Sequence, residues 1–222
     1  MYTPPAYAET DERLLRERMR AWSFATLVTH GAEGLNATHL PFLVDDEGAH
    51  GLLTTHLSRG NAQYRDLKAG APALVIFQGP HAFVSPSWYV NRLTFPTWNY
   101  TAIHVQGTPE LVEDPTAIHA VLKRTVATYD TPLGGEWAFG AVPEALTASR
   151  LQAIAAVRIP IARIEGKMKL NQDKSVADRL GVIAALEQLG DAQGLAVAAL
   201  MRAQPDLAAT RRTTDDDRSL QT

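Results

Sequence analysis

Leu14, Leu15, Met19 and Trp22 recur at near-helical spacing behind Thr10, Asp11 and Glu12, which read as a cap and an acidic first turn. The pattern predicts a helix to about residue 21. From there the period changes. FATLVT (24–29) is short and rich in β-formers, and predicts a strand. NATHLPFLV (36–44) predicts a second strand, with Pro41 marking an edge or a bulge because it brings no N–H to a ladder. A turn at 45–48 leads to a third strand at 51–55, and residues 62–68 predict a short helix. ALVIFQ (73–78) is a continuous apolar run, as expected of a central strand buried on both faces, and residues 82–85 prolong its pairing.

Residues 86–96 begin and end on proline and predict a loop. TWNYTAIHVQGTPELVE (97–113) alternates as one long strand kinked near Gly107 and Pro109. Within it Trp98, Tyr100 and Ala102 face one way and Asn99, Thr101 and Ile103 the other, with Trp98 expected in the core. Asp114 and Pro115 start a helix that runs to about residue 128. Residues 129–142 read as loop and 143–151 as helix, and AAVRIPIARIE (155–165) is expected as the last strand. Helices follow at 173–188, capped by Asp173 or Ser175, and at 193–202, and the charged tail at 210–222 is expected to be disordered. Early strands with short connections and helices at the ends predict a mostly β (α+β) fold, an antiparallel barrel with peripheral helices. Two regions are expected, 1–190 as the main domain and 191–222 as a C-terminal helix and tail.

Composition narrows the chemistry. The chain has 222 residues, 45% of them apolar, a net charge of −3 and no cysteine. A core is affordable in that length, and the whole chain has no electrostatic pull toward nucleic acid. Disulfides, thiolate zinc sites and cysteine nucleophiles are excluded. No signal peptide is visible and no run approaches a bilayer span, so a cytoplasmic protein with no membrane partner is expected. Walker A, G-x-S-x-G and G-x-G-x-x-G patterns are absent, as is the zinc spacing H-E-x-x-H. No metal is expected, although His39, His56, His81 and His104 leave a single haem ligand open.

Four stretches could carry chemistry. In HLSRGNAQYRDL (56–67), Ser58 and Asn61 can donate hydrogen bonds, Arg59 offers a planar fork for phosphate oxygens, and Gly60 permits close approach. The same residues also suit ordinary helix capping by Asn61 with a solvated Arg59. FQGPHAFVSPSWY (77–89) sets aromatic rings beside a histidine and serines, which suits a flat heteroaromatic ligand or an aromatic corner of a barrel. PTWNYTAIHVQG (96–107) brings Trp98 and Asn99. IEGKMKLNQDK (164–174) sets Lys167, Lys169 and Lys174 beside Asn171 and Gln172, either to hold phosphate or a flavin carbonyl or as a solvated basic turn.

MYTPPAY at the start, THLPFLVD, the H-x-x-R-x-N of 56–61, LVIFQGPHAFVSPSWY, PTWNYTAIHVQG and EGKMKLNQDK, in this order, resemble the PaiB family of FMN-binding negative transcriptional regulators. The resemblance covers roughly residues 1–187. It implies a flavin-reductase-like split barrel, as in pyridoxamine-phosphate oxidases, a homodimer, and FMN in a cleft between subunits. The phosphate would then lie at the HLSRGNAQYRDL stretch, with Thr54, Thr55, His56, Ser58, Arg59 and Asn61 along one side. The other subunit would supply Trp98, Asn99, and Lys167, Lys169 or Gln172. Two departures stand out. Only VNRLTF separates SPSWY from PTWNY, which shortens a loop, and Met168 stands where the family has Trp, a softer contact for a flavin ring. The resemblance implies an FMN-binding regulator acting through flavin redox chemistry, or alternatively a flavin- or haem-dependent oxidoreductase with no direct DNA binding.

Overall fold

The computed structural model describes residues 1–208, so the tail expected at 210–222 lies outside the described residues. The strands are β1 (Ala8–Glu9), β2 (Phe24–Gly31), β3 (Gly34–Pro41), β4 (Leu43–Asp45), β5 (Leu52–Ser58), β6 (Ala73–Val84), β7 (Thr97–Gly107), β8 (Glu110–Val112), β9 (Ile154–Pro160) and β10 (Arg163–Lys169). The helices are α1 (Glu12–Ala21), α2 (Gln63–Lys68), α3 (Pro115–Tyr129), α4 (Glu144–Gln152), α5 (Val176–Leu189) and α6 (Ala192–Arg202). Two open antiparallel sheets result, in the orders β1-β10-β7-β6-β2-β3 and β4-β5-β9-β8. The chain divides into a first unit, Met1–Glu9 with Gly79–Ala102 and the residues from Gly166 on, and a second unit, Thr10–Gln78 with Ile103–Glu165.

In the second unit, Asp11 caps α1 by accepting from the N–H groups of Arg13 at 2.9 Å and Leu14 at 3.2 Å. Leu15 and Met19, one turn apart, are its buried stripe. Residues 24–31 and 34–41 form a hairpin in which Thr26 faces His39 and Val28 faces Ala37. β6 pairs on the other side of β2, Thr26 opposite Ile76. It is therefore central as expected, but only one face is fully buried: Val75 and Phe77 are at 0% exposure while Leu74 and Ile76 are partly open.

Three stretches expected as single strands are each two strands in different sheets. NATHLPFLV divides at Pro41 into β3 and β4, TWNYTAIHVQGTPELVE divides before Pro109 into β7 and β8, and AAVRIPIARIE divides at Pro160 into β9 and β10. Proline cannot donate to the ladder, so each ladder stops there and the chain turns the corner to the other sheet. The side chain of Phe42, just past the first corner, is buried and meets Phe77 edge to face at 5.8 Å. Gly107 sits at the second corner, where a Cβ would lie 2.3 Å from the carbonyl oxygen of Pro160. α3 begins at the expected Asp114 cap and Pro115, and packs Ile118 with Leu151 of α4 and Ala156 of β9. Arg124 holds α3 to Asp45 through two contacts of 2.6 and 2.8 Å.

In the first unit, β1 pairs with the end of β10, Ala8 opposite Lys167. Val182, Ile183 and Leu186 of α5 share one core with Val197, Ala198 and Met201 of α6, together with Val84, Tyr89 and Leu170. Ser175, not Asp173, caps α5 by accepting from Asp178 N–H at 3.1 Å. The 90–96 loop starts from a fixed point, because an Asp178 oxygen accepts from the N–H groups of Val90 at 2.8 Å and Asn91 at 3.1 Å. No helix among the described residues is long and apolar enough to cross a membrane.

Candidate functional site

The sequence-predicted residues fall into two groups, one in each unit. Thr54, Thr55, His56 and Ser58 lie on β5 of the second unit, opposite Arg158, Val157, Ala156 and Ile154 of β9. Both threonines are buried, and the Thr55 hydroxyl donates to the Pro41 carbonyl at 2.7 Å, bracing the first sheet corner. His56 is half-buried, and desolvation holds its imidazole below the usual histidine range. Ser58 is exposed at the strand's end, its Oγ accepting from Gly60 N–H at 3.1 Å.

The start of α2 does not offer the unpaired N–H groups that a phosphate cradle would use. Asn61 Oδ1 accepts from Gln63 N–H at 2.9 Å, the Asn61 carbonyl takes Tyr64 N–H at 3.0 Å, and the Ala62 carbonyl takes Arg65 N–H at 3.1 Å. Asn61 is thus a capping residue, and its Nδ2 donates to Thr38 Oγ1 at 2.9 Å. Arg59 is not simply solvated. Its Nε donates to the Ile154 carbonyl at 2.9 Å, and its Nη1 donates to Glu113 at 2.6 Å. The Tyr64 hydroxyl donates to the same Glu113 oxygen at 2.6 Å. Glu113 is held below the ordinary carboxylate range, by the Tyr64 hydrogen bond first and by the Arg59 guanidinium as well. It stays ionised in mild acid, so a modest drop in pH does not release Arg59. What this stretch can present to a phosphate is the exposed Ser58 hydroxyl and the anchored guanidinium, with one counter-charge already beside it. The fit is by side chains rather than by a helix terminus.

Behind this stretch lies a network that sequence reasoning missed. Gln63 is fully buried, its Nε2 donating to the Leu27 carbonyl at 3.0 Å and Thr29 Oγ1 at 3.1 Å. Asp66 accepts from Thr29 Oγ1 and from Asn36 Nδ2, each at 2.8 Å. Polar residues on a short helix look solvent-facing in a sequence, and only the hairpin folded against α2 shows that they clamp it.

The second group belongs to the first unit. Trp98 is 53% exposed, contrary to the expected core position. On β7 the inward face is the other one, with Asn99, Thr101 and Ile103 buried. The exposed indole stands in a row of rings, 6.0 Å from Phe83 and 6.1 Å from His81. Asn99 is fully buried, its Nδ2 directed at Met201 Sδ and its Oδ1 without a partner among the described residues. Lys167 and Lys169 lie on β10, not on a turn after the last strand. Lys167 donates to the Tyr2 carbonyl at 3.1 Å and sits over the rings of Tyr2 and Tyr100. Lys169 donates to Thr97 Oγ1 and to the Trp98 carbonyl, and burial lowers its ammonium pKa. Gln172 closes its own turn, accepting from Leu170 N–H at 2.7 Å and donating to the Met168 carbonyl. Trp98 is therefore the member of this group most open to a ligand, and its exposed indole beside the exposed Phe83 ring suits a flat heteroaromatic system. Among the described residues no cluster of three or more His, Cys, Asp or Glu could hold a metal ion.

The His56 environment makes a pH prediction. A group that titrates lower in the folded than in the unfolded chain gives its full stability above the unfolded pKa, about 6.5 for histidine. That stability is lost as pH falls through this value toward the folded one. Thermal unfolding followed from pH 8 to pH 5 is expected to show falling stability below about 6.5. His56→Gln should remove part of that slope; His104, shifted the same way by burial, accounts for another part. An identical slope in the variant would exclude His56.

Residues 1–163 match a family model described as "Putative FMN-binding domain". The chain is 32% identical over 204 residues to "Protease synthase and sporulation protein PAI 2" of Bacillus subtilis, which spans 90% of this chain and 96% of that protein. Its fold is similar to that of the FAD and heme binding protein from Mycobacterium smegmatis, with a TM-score of 0.58 at 18% identity over 78% of each chain. The flavocytochrome Anf3 from Azotobacter vinelandii gives the same TM-score of 0.58 at 17% identity, over 73% of this chain and 69% of that one. These structures share the open antiparallel split barrel with peripheral helices. On the family match and the Bacillus relative together, the chain belongs to the PaiB family, an FMN-binding domain of split-barrel fold.

Proposed function

We propose that the protein works as a cytoplasmic homodimer in which each FMN is held by residues of both subunits. One subunit receives the phosphate at Ser58 and Arg59, with Thr54, Thr55, His56 and Asn61 shaping that wall. The other lays Trp98 against the ring system, backed by Asn99, Lys167, Lys169 and Gln172. The observation that carries this reading is the exposed Trp98 and Phe83 rings, with the half-buried His81 beside them, in a chain that matches an FMN-binding family. Bound FMN would supply hydride and single-electron acceptance. The protein's part is to orient the ring, exclude water from one face and balance the phosphate charge. A regulatory role of the kind the PaiB name carries would run through flavin chemistry or a protein partner. The net charge of −3 argues against direct DNA contact.

Complementation tests the shared site. Arg59→Ala and Trp98→Ala should each weaken FMN binding, Trp98→Ala by about tenfold. Co-expressed, the two variants should form mixed dimers with one intact site and one doubly altered site, and native-affinity flavin binding should reappear in that fraction. If the mixture binds no better than either variant alone, the site is not shared between subunits.

A further inference from the structure

One opening in the second unit involves none of the residues assigned to the flavin. It is a cavity of about 1020 Å³ lined from α3, the 130–143 connection and α4. That volume is in the range of small-molecule sites. Its wall is a chain of ring contacts: His119 meets Phe139 edge to face at 4.7 Å, and Phe139 meets Trp137 in the same way at 4.6 Å. Val126, Val142 and Pro143 extend the apolar surface.

Two polar groups on this wall lack partners. His119 Nε2 is buried and makes no hydrogen bond among the described residues. Lys123 also lines the cavity, four residues further along the same helix and so on the same side, with no described acceptor for its ammonium group. Glu144 is the one carboxylate on the lining, but it stands in the first turn of α4, where the helix start already favours a negative charge. The charge left over for an occupant is positive.

We propose that this cavity is a second ligand site, separate from that of the flavin, for a planar aromatic molecule with one acidic substituent. The rings of Trp137 and Phe139 take the apolar body. Lys123 takes the acidic group. The position on α3 gives the site a connection to the barrel, because the adjoining face of that helix packs Ile118 on Ala156 of β9.

The test is calorimetric titration of 1-naphthoate into the FMN-saturated full chain. Saturable binding with one site per chain is expected. Lys123→Glu, at an exposed position, should weaken it by at least about tenfold. Ala138→Trp, which fills the cavity, should abolish it. Both variants should keep native FMN affinity. The proposal is overturned if no saturable heat is seen, if neither variant alters binding, or if naphthoate displaces FMN.

Discussion

Arg59→Ala is expected to weaken FMN binding by about 10- to 100-fold, the worth of a charge-assisted hydrogen bond to phosphate. Two effects combine. The guanidinium is lost, and Glu113, which Arg59 neutralises at 2.6 Å, is left as an ionised neighbour of the incoming dianion. The double variant Arg59→Ala, Glu113→Gln should therefore recover part of the loss. Glu113→Gln alone should tighten binding, because the fork is released toward the ligand. Arg59→Lys should not rescue, since an ammonium cannot hold the Ile154 carbonyl and a phosphate in the same planar arrangement. Flavin fluorescence titration reads all four proteins, and far-ultraviolet circular dichroism checks that each is folded. Unchanged affinity in Arg59→Ala would remove the phosphate from this stretch.

Gly107→Val is expected to destabilise the fold by about 3 kcal/mol or more, the upper range of overpacking. The added Cβ would stand 2.3 Å from the Pro160 carbonyl oxygen and 2.8 Å from Ile159 Cγ2. The first of these is main chain at another sheet corner, so neither side can yield without breaking a ladder. For a chain of this size that loss corresponds to a fall in melting temperature of roughly 6–12 °C. Gly140→Ala is the control. Nothing lies within 4 Å of the Cβ it would add, and its stability should change by less than about 0.5 kcal/mol. Equal melting temperatures for the two variants would mean that the Gly107 corner opens easily.

Each prediction uses a feature the sequence showed in part. HLSRGN left Arg59 open as an anion ligand or as a solvated side chain beside a helix cap. Its engagement with Glu113 could not, because the pairing closes over 54 positions of the chain and nothing local announces it. Gly107 and Pro109 could be read as a kink. That the kink carries the chain from one sheet to another follows only once Pro160 is seen to turn a matching corner beside it.

Trp98 shows the same division from another side. Alternation along β7 separates its two faces without error, but the sign of each face was assigned from the general habit of tryptophan and came out reversed. What decides the sign is what packs against the strand: the buried side carries Asn99, Thr101 and Ile103, and the indole is left outside.

The local code by itself determined most helix starts and the fold class, because caps and hydrophobic period act over a few residues. Only the tertiary structure decided which sheet each half-strand joins and which charges are already paired. Those outcomes depend on groups distant in sequence competing for the same hydrogen bonds, and that competition is settled only when the corners close.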